Sequence, residues 1–447
     1  MTFDAVLHER PVELLQRLIR FDTTNPPGHE RGCIEWIAGV LRDAGVEPRI
    51  VAKDPARPNL VARLPGAGVA PALLMQGHVD VVPAEGRWSR APFGGEIADG
   101  YVWGRGALDM KGGVAMMLAA FLRTAADHAP PPGDVLLCVV SDEEAGGDNG
   151  ARFLVEEHPE LFEGVRFAIG EFGGFTLDLA GRRFYPIMVA EKQLCAVRAT
   201  LRGPAGHGSM PVRDGATGRL GALLAALDRR RLPVHVTPVV RGMVDAIAAE
   251  VPAVAAVPLR GLLRPRIADR LLDLLGARAS MFDPLLHNTA SPTLLRGGRS
   301  ANVIPGEVSV DLDCRLLPGF GPDDLLAELR AHARVPMELE VLRHDPGPRS
   351  PDMGLFPVLA AILRELDPGG RPVPLLLPAV SDARFFARLG IQTYGFLPMQ
   401  LPPEMRFREL IHAEDERIPV QSLEFGTGAI RRLLERFGAP ADQSSAG

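Results

Sequence analysis

The chain has 447 residues, too many for one ordinary core and enough for two or three domains that each bury a sizeable interior. A hydrophobic share of 46% beside 23% charged residues describes a globular protein, and a formal net charge of −6 excludes a general attraction to nucleic acid or anionic membrane. The one basic cluster, Arg229 to Arg231, reads as a solvated helix end. Four cysteines, Cys33, Cys138, Cys195 and Cys314, lie far apart with no CxxC pair, so neither a zinc ribbon nor a disulfide framework is expected. In the opening stretch, "MTFDAVLHERPVELLQRLIRFDTT", acids and arginines break the apolar residues into helical spacing. It is expected to be neither a signal peptide nor a membrane span, and a cytoplasmic protein is the expectation.

In chain order, "VELLQRLIRF" has helical spacing and is stopped by "TTNPPGHERG", after which "CIEWIAGVLRDAG" is a second amphipathic helix. Short apolar strands follow in "NLVARL" and "ALLMQGHVDVV". A Gly-rich turn then leads into the long helix "GGVAMMLAAFLRTAADH". "DVLLCVVS" predicts a third strand, "NGARFLVEEHPELF" a helix and "RFAIGEF" another strand. Alternation at these lengths predicts an α/β catalytic domain whose central sheet is covered by helices on both faces. Near residue 190 the texture changes. "KQLCAVRATLRG" and "EVSVDLDCRLL" alternate polar and apolar residues like half-exposed strands, which predicts a smaller α+β domain inserted over 191–318 between catalytic segments 1–190 and 319–447. In the last segment a helix near 353–366, the apolar run "PVPLLLPAV" and the helix "SLEFGTGAIRRLLERFG" precede a tail, "APADQSSAG", expected to be disordered.

Residues with ligand chemistry gather at the strand ends, where α/β sheets place their sites. "LLMQGHVDVV" delivers His78 and Asp80, two apart and so on one side of an extended chain. In that geometry Asp80 can accept a hydrogen bond from one imidazole nitrogen while the other binds a metal. Alone, the pair is equally a hydrogen-bonded histidine at a strand end. "GRGALD" comes close to a GxGxxG fingerprint, but Asp109 stands where the last glycine would, and a carboxylate there opposes a pyrophosphate. Asp109 is then a helix cap or a metal ligand. "SDEEAGG" places Asp142, Glu143 and Glu144 directly after a buried strand, and "AIGEFGG" places Glu171 after another. Each acid alone could face water. Four strand or turn ends presenting His, Asp or Glu together describe a site for one or two divalent metals.

Taken in order, "GHVDVVPAEGRW", "GRGALDMKGG", "SDEEAGG" and "GPAGHGSMP" resemble the di-zinc peptidases and deacylases that include aminoacylase, acetylornithine deacetylase, succinyl-diaminopimelate desuccinylase and glutamate carboxypeptidase. The likeness runs from about residue 14 to 420 and implies a mixed catalytic sheet, an inserted lid and a small-molecule substrate. By that resemblance His78 and Glu171 bind one ion, Glu144 and His412 the other, and Asp109 bridges them, with Glu143 the general base and Asp80 orienting His78. His412 in "IHAEDERI" matches the family's final motif. The ligand set favours Zn2+ and also suits Co2+ or Mn2+. His207 in "GPAGHGSMP" resembles a donor to the developing oxyanion that reaches a partner subunit's site in dimeric members, which implies a homodimer through the lid. Its alternative is a surface turn histidine. Asn302 and Arg315 resemble substrate-holding residues, Arg315 forking onto an α-carboxylate; an exposed strand arginine is the other reading. Lys192, one of three lysines among 49 basic residues, resembles the way into the lid and is expected to be structural.

The chain departs from the family twice. The segment 229–300 is long and rich in Leu, Ala and Pro, and "PAVSDARFF" replaces a glycine-rich stretch before a Ser-Asp pair. The expected activity is hydrolysis of an N-acyl amino acid or dipeptide-like amide with a free carboxylate. A non-catalytic descendant that binds a small acidic ligand or a partner, and a nucleotide-dependent oxidoreductase, are the competing readings.

Overall fold

The computed structural model describes residues 10–127, 129–276, 279–348 and 350–438. They fall into two compact units, one made of the chain up to residue 189 with 352–375 and the segment from 381 onward, the other of 190–351 with 376–380.

The larger unit is built on a mixed sheet. Its strand order is Arg49–Val51, Asn59–Leu64, Val135–Val140, Ala72–His78, Val165–Gly170, Gln392–Gly395, Arg182–Glu191, Arg371–Leu377. Ala72–His78 is parallel to both its neighbours, Val135–Val140 and Val165–Gly170, while Asn59–Leu64 runs antiparallel to Val135–Val140. Every residue of Ala72–His78 and of Val135–Val140 is buried, as a strand covered on both faces requires. On one face Leu136, Cys138 and Val140 join Leu74, Ala151, Leu154, Phe385 and Phe386 in a single apolar cluster, under the helices Ala151–Glu157 and Ala383–Phe386. On the other lies the helix Lys111–Ala126, buried through almost its whole length between Pro11–Ile19 and Val420–Arg436. The α/β architecture with both sheet faces covered is therefore the one expected.

The smaller unit is a four-stranded antiparallel sheet in the order Thr289–Gly297, Glu307–Leu316, Gln193–Arg202, Glu338–Asp345. Along Gln193–Arg202 burial alternates strictly, so Cys195, Val197, Ala199 and Leu201 face a core closed by the helices Ala216–Arg229 and Pro322–Ala333. That helix and the strand Glu338–Asp345 both lie beyond residue 318, where the expected insertion ends. Among the described residues of the long segment 229–300 run four further helices, Pro238–Glu250, Ala253–Gly261, Pro265–Leu275 and the short Asp283–Leu286. Thr237 caps the first, its side chain accepting from the Val240 amide. All four cysteines are free and buried. Among the described residues no helix is long and apolar enough to cross a membrane. The tail 439–447 lies outside the described residues.

Candidate metal centre

Parallel neighbours end on the same edge of a sheet, and here that edge carries the site. His78 closes its strand level with Val140, so the acid turn that follows Val140 emerges beside the imidazole. Glu171 directly follows the strand on the other side. Asp109 comes from the turn before Lys111–Ala126, and His412 from the loop that leads into the short strand Arg417–Pro419. The structure brings these residues together. His78 Nε2 lies 3.3 Å from Asp109 Oδ1 and 3.6 Å from Glu171 Oε2. His412 Nε2 lies 3.3 Å from Asp109 Oδ2 and 3.2 Å from Glu144 Oε1. Asp109 thus turns one oxygen to each histidine. Ligand atoms of His78, Asp109 and Glu144 lie within 4.8 Å of one another, as do those of His78, Glu143 and Glu171. Glu143 therefore stands within reach of a cation.

The acid turn is held from behind. Asp142 sits in the left-handed region with φ 73°, a cost that its side-chain bonds offset. Its carboxylate accepts from Arg57 Nη1 at 2.7 Å and from the Asn149 backbone amide at 2.8 Å, and Asn25 Nδ2 approaches at 3.3 Å. Arg57 is in turn forked onto the buried Glu30. Asp80 accepts the backbone N–H groups of Glu143 and Glu144, one on each oxygen at 3.1 Å. Its link to His78 differs from the expected one. Nδ1 lies 3.0 Å from the Asp80 backbone carbonyl and 3.4 Å from its carboxylate, so the main chain is the nearer acceptor. A proton on Nδ1 leaves Nε2 with its lone pair facing Asp109 and Glu171.

Charge crowding follows from this geometry. Burial pushes the Glu171 carboxyl up to about 8 against the pull of His78. Burial and the Glu171 charge raise Glu143 well above the usual carboxylate range. Burial would lower His78, but Asp109, Asp80 and Glu171 raise it further than burial lowers it. The Asp109 and Glu144 carboxylates raise His412 to about 10. Among the described residues Glu171 Oε2 is buried without a hydrogen-bond partner. An orphaned carboxylate oxygen among imidazoles and further carboxylates suits a divalent cation, which would neutralise the crowded charge. The residues fit such a group.

His207, Asn302 and Arg315 belong to the smaller unit. There Gly206–His207 pairs with Val303–Ile304, and the Asn302 carbonyl accepts from the Gly208 amide at 2.7 Å, so His207 and Asn302 share one ribbon. His207 is exposed, with Nδ1 2.8 Å from Ser209 Oγ. The fork of Arg315 is taken up by Asp313, two residues back on its own strand, through Nε at 2.7 Å and Nη2 at 3.0 Å. Lys192 is buried and donates to the His287 carbonyl at 2.8 Å. Sequence reasoning missed Asn25, Glu30 and Arg57 behind the acid turn. No local pattern marks them, because their partners are far along the chain.

The chain matches Peptidase family M20/M25/M40 over residues 74–436. It is 30% identical over 445 residues to a succinyl-diaminopimelate desuccinylase of Methylorubrum extorquens, an alignment covering 96% of this chain and 98% of that protein. In fold it is similar to an M20 family metallo-carboxypeptidase from Sulfolobus solfataricus, with a TM-score of 0.68 at 18% identity, covering 96% of this chain and 99% of that one. A dinuclear metal-binding M20 peptidase of Bacillus subtilis superposes with a TM-score of 0.60 at 14% identity, covering 97% and 98%. The chain therefore belongs to peptidase family M20/M25/M40 and is a metal-dependent hydrolase.

Proposed function

We propose that the protein hydrolyses the amide bond of an N-acyl amino acid, or of a dipeptide-like substrate with a free carboxylate. The observation that carries this reading is Asp109, whose two oxygens each lie 3.3 Å from a different histidine, the disposition of a carboxylate shared by two cations. In this reading His78 and Glu171 would hold one ion and Glu144 and His412 the other, with Asp109 available to both. The donor set favours zinc, with cobalt or manganese compatible. A desuccinylase among the relatives supports an N-acyl amino acid ahead of a dipeptide.

When bound, a pair of divalent cations supplies Lewis acidity that polarises an amide carbonyl and lowers the pKa of water toward about 7. Glu143 is the general base: its carboxylate takes a proton from the attacking water and delivers it to the leaving nitrogen. Asp80 fixes that base by gripping the Glu143 and Glu144 amides, and its own carbonyl sets the tautomer of His78. In this reading the smaller unit serves as the lid. From it His207 donates to the oxyanion, while Asn302 and Arg315 hold the substrate, Arg315 exchanging Asp313 for the substrate carboxylate. A homodimer through the lid is part of the same reading.

The test strips the protein of metal, restores Zn2+, Co2+ or Mn2+, and screens N-acyl amino acids of varied acyl length. Cleavage is expected with at least one metal. Glu143→Gln should lower kcat by about 10^2 to 10^4 while two metal equivalents remain bound. Absence of both stoichiometric metal and cleavage would remove the reading. Metal loss in Glu143→Gln would instead make Glu143 a ligand.

A further inference from the structure

Asp109 and His412 come from distant stretches of chain, and neither lies in a strand or helix. The His412 side chain is 47% exposed, so little packs against its ring. Its backbone also sits at φ 60°, a conformation that needs support. His78, by contrast, closes a parallel ladder, and Glu171 directly follows the neighbouring parallel strand.

Two charged side chains bridge the Asp109 turn and the His412 loop. Glu416 is fully buried and Arg105 nearly so, and they pair at 2.9 Å. Glu416 Oε1 accepts the backbone amides of Leu108 at 2.7 Å and of Asp109 itself at 3.1 Å, and Oε2 accepts that of Gly106 at 3.1 Å. Arg105 Nη1 donates to the Ala413 carbonyl at 3.0 Å, and Nη2 to those of His412 and Pro83 at 3.3 Å. Backbone groups in irregular segments need partners, and here one ion pair supplies them to both loops at once. A buried pair is often no more stabilising than apolar residues of the same size, so stability alone gives little reason for this one. Its bonds land on the amide of Asp109 and the carbonyl of His412, the two residues whose side chains meet at 3.3 Å.

We infer that Arg105 and Glu416 form a positioning clasp that holds Asp109 and His412 in the register needed to share one cation, an inference that rests on the two-ion reading above. The clasp acts on the His412 side of the centre. The His78 side shares Asp109 but keeps His78 and Glu171, which the clasp does not touch, so it depends on the clasp less.

Metal-stripped protein is titrated with Co2+, read by its visible absorption and by competition with a chelator. The unaltered protein, His412→Ala, Arg105→Lys and the double variant Arg105→Met with Glu416→Gln are compared. The double variant leaves no buried charge unpaired, and Arg105→Lys keeps the charge but loses the fork. The unaltered protein is expected to take two equivalents. In both clasp variants one equivalent should bind with little change and the other at least tenfold more weakly, with the absorption change seen in His412→Ala. Circular dichroism and an unfolding midpoint of the metal-free proteins identify folded samples. Two unchanged equivalents in the folded variants, or equal weakening of both, would overturn the clasp. An unaltered protein that takes only one equivalent would instead overturn the two-ion reading.

Discussion

Lys192 shows how far one buried charge can bias a unit. Burial, helped by the nearby Arg315, pushes its ammonium down to about 7 from an ordinary 10.5. A lysine with a depressed folded pKa binds fewer protons folded than unfolded, so its burial is most costly below about 7 and is relieved as pH rises toward 10.5. Lys192→Met carries no titrating group. Its stability relative to the unaltered protein is expected to fall between pH 6 and pH 9, measured as the difference in urea midpoints; a pH-independent difference would show that Lys192 folds without desolvation. Site chemistry was more legible in the sequence than residue partners were. His78, Glu144 and Glu171 stand out at the ends of apolar runs, Asp109 and His412 are singled out as ligands by the family resemblance, and the structure brings the five together. The grip of Asp80 on two backbone amides, and the pairing of Arg315 with Asp313, depend on local geometry that residue type does not encode.

At the level of elements, legibility followed burial. Val135–Val140 and Ala72–His78 read as strands because both faces are covered and the apolar run is unbroken. Glu338–Asp345 escaped notice, since an edge strand with one wet face carries charges at half its positions and resembles a loop. The opposite edge of that sheet, Thr289–Gly297, is exposed along most of its length, with Leu294 at 48% and Leu295 at 53%. It pairs with Glu307–Leu316 on one side only, and an exposed apolar edge is a template for another strand. A dimer through the lid would use it. Leu295→Lys is expected to shift the protein from dimer to monomer by light scattering, with the unfolding midpoint nearly unchanged. A monomeric unaltered protein under assay conditions would end the dimer reading.

At the scale of the whole molecule, the metal centre ties stability to pH. In the metal-free protein Glu171 is raised from 4.5 to about 8, so the stability it contributes is full below 4.5 and lost as pH rises through about 8. His412, raised from 6.5 to about 10, contributes stability that is full below 6.5 and lost through about 10. Asp109 is depressed, so its contribution is present above 3.8 and constant in this range. From pH 6 to 8 Glu171 and His412, like the raised Glu143 and His78, therefore pull the same way and the metal-free protein weakens. Cations compete with protons for these ligands, so metal affinity rises over the same interval. A ligand at 100 times its Kd stabilises the folded state by about 2.7 kcal/mol, and each gain in affinity adds to that. The gap in Tm between Zn2+-loaded and chelator-stripped protein should therefore widen from pH 6 to pH 8 in calorimetry. Because Lys192 titrates in both samples, its opposite trend cancels in the gap. A gap that stayed constant or narrowed would mean that the carboxylates and histidines of the centre do not exchange protons for metal.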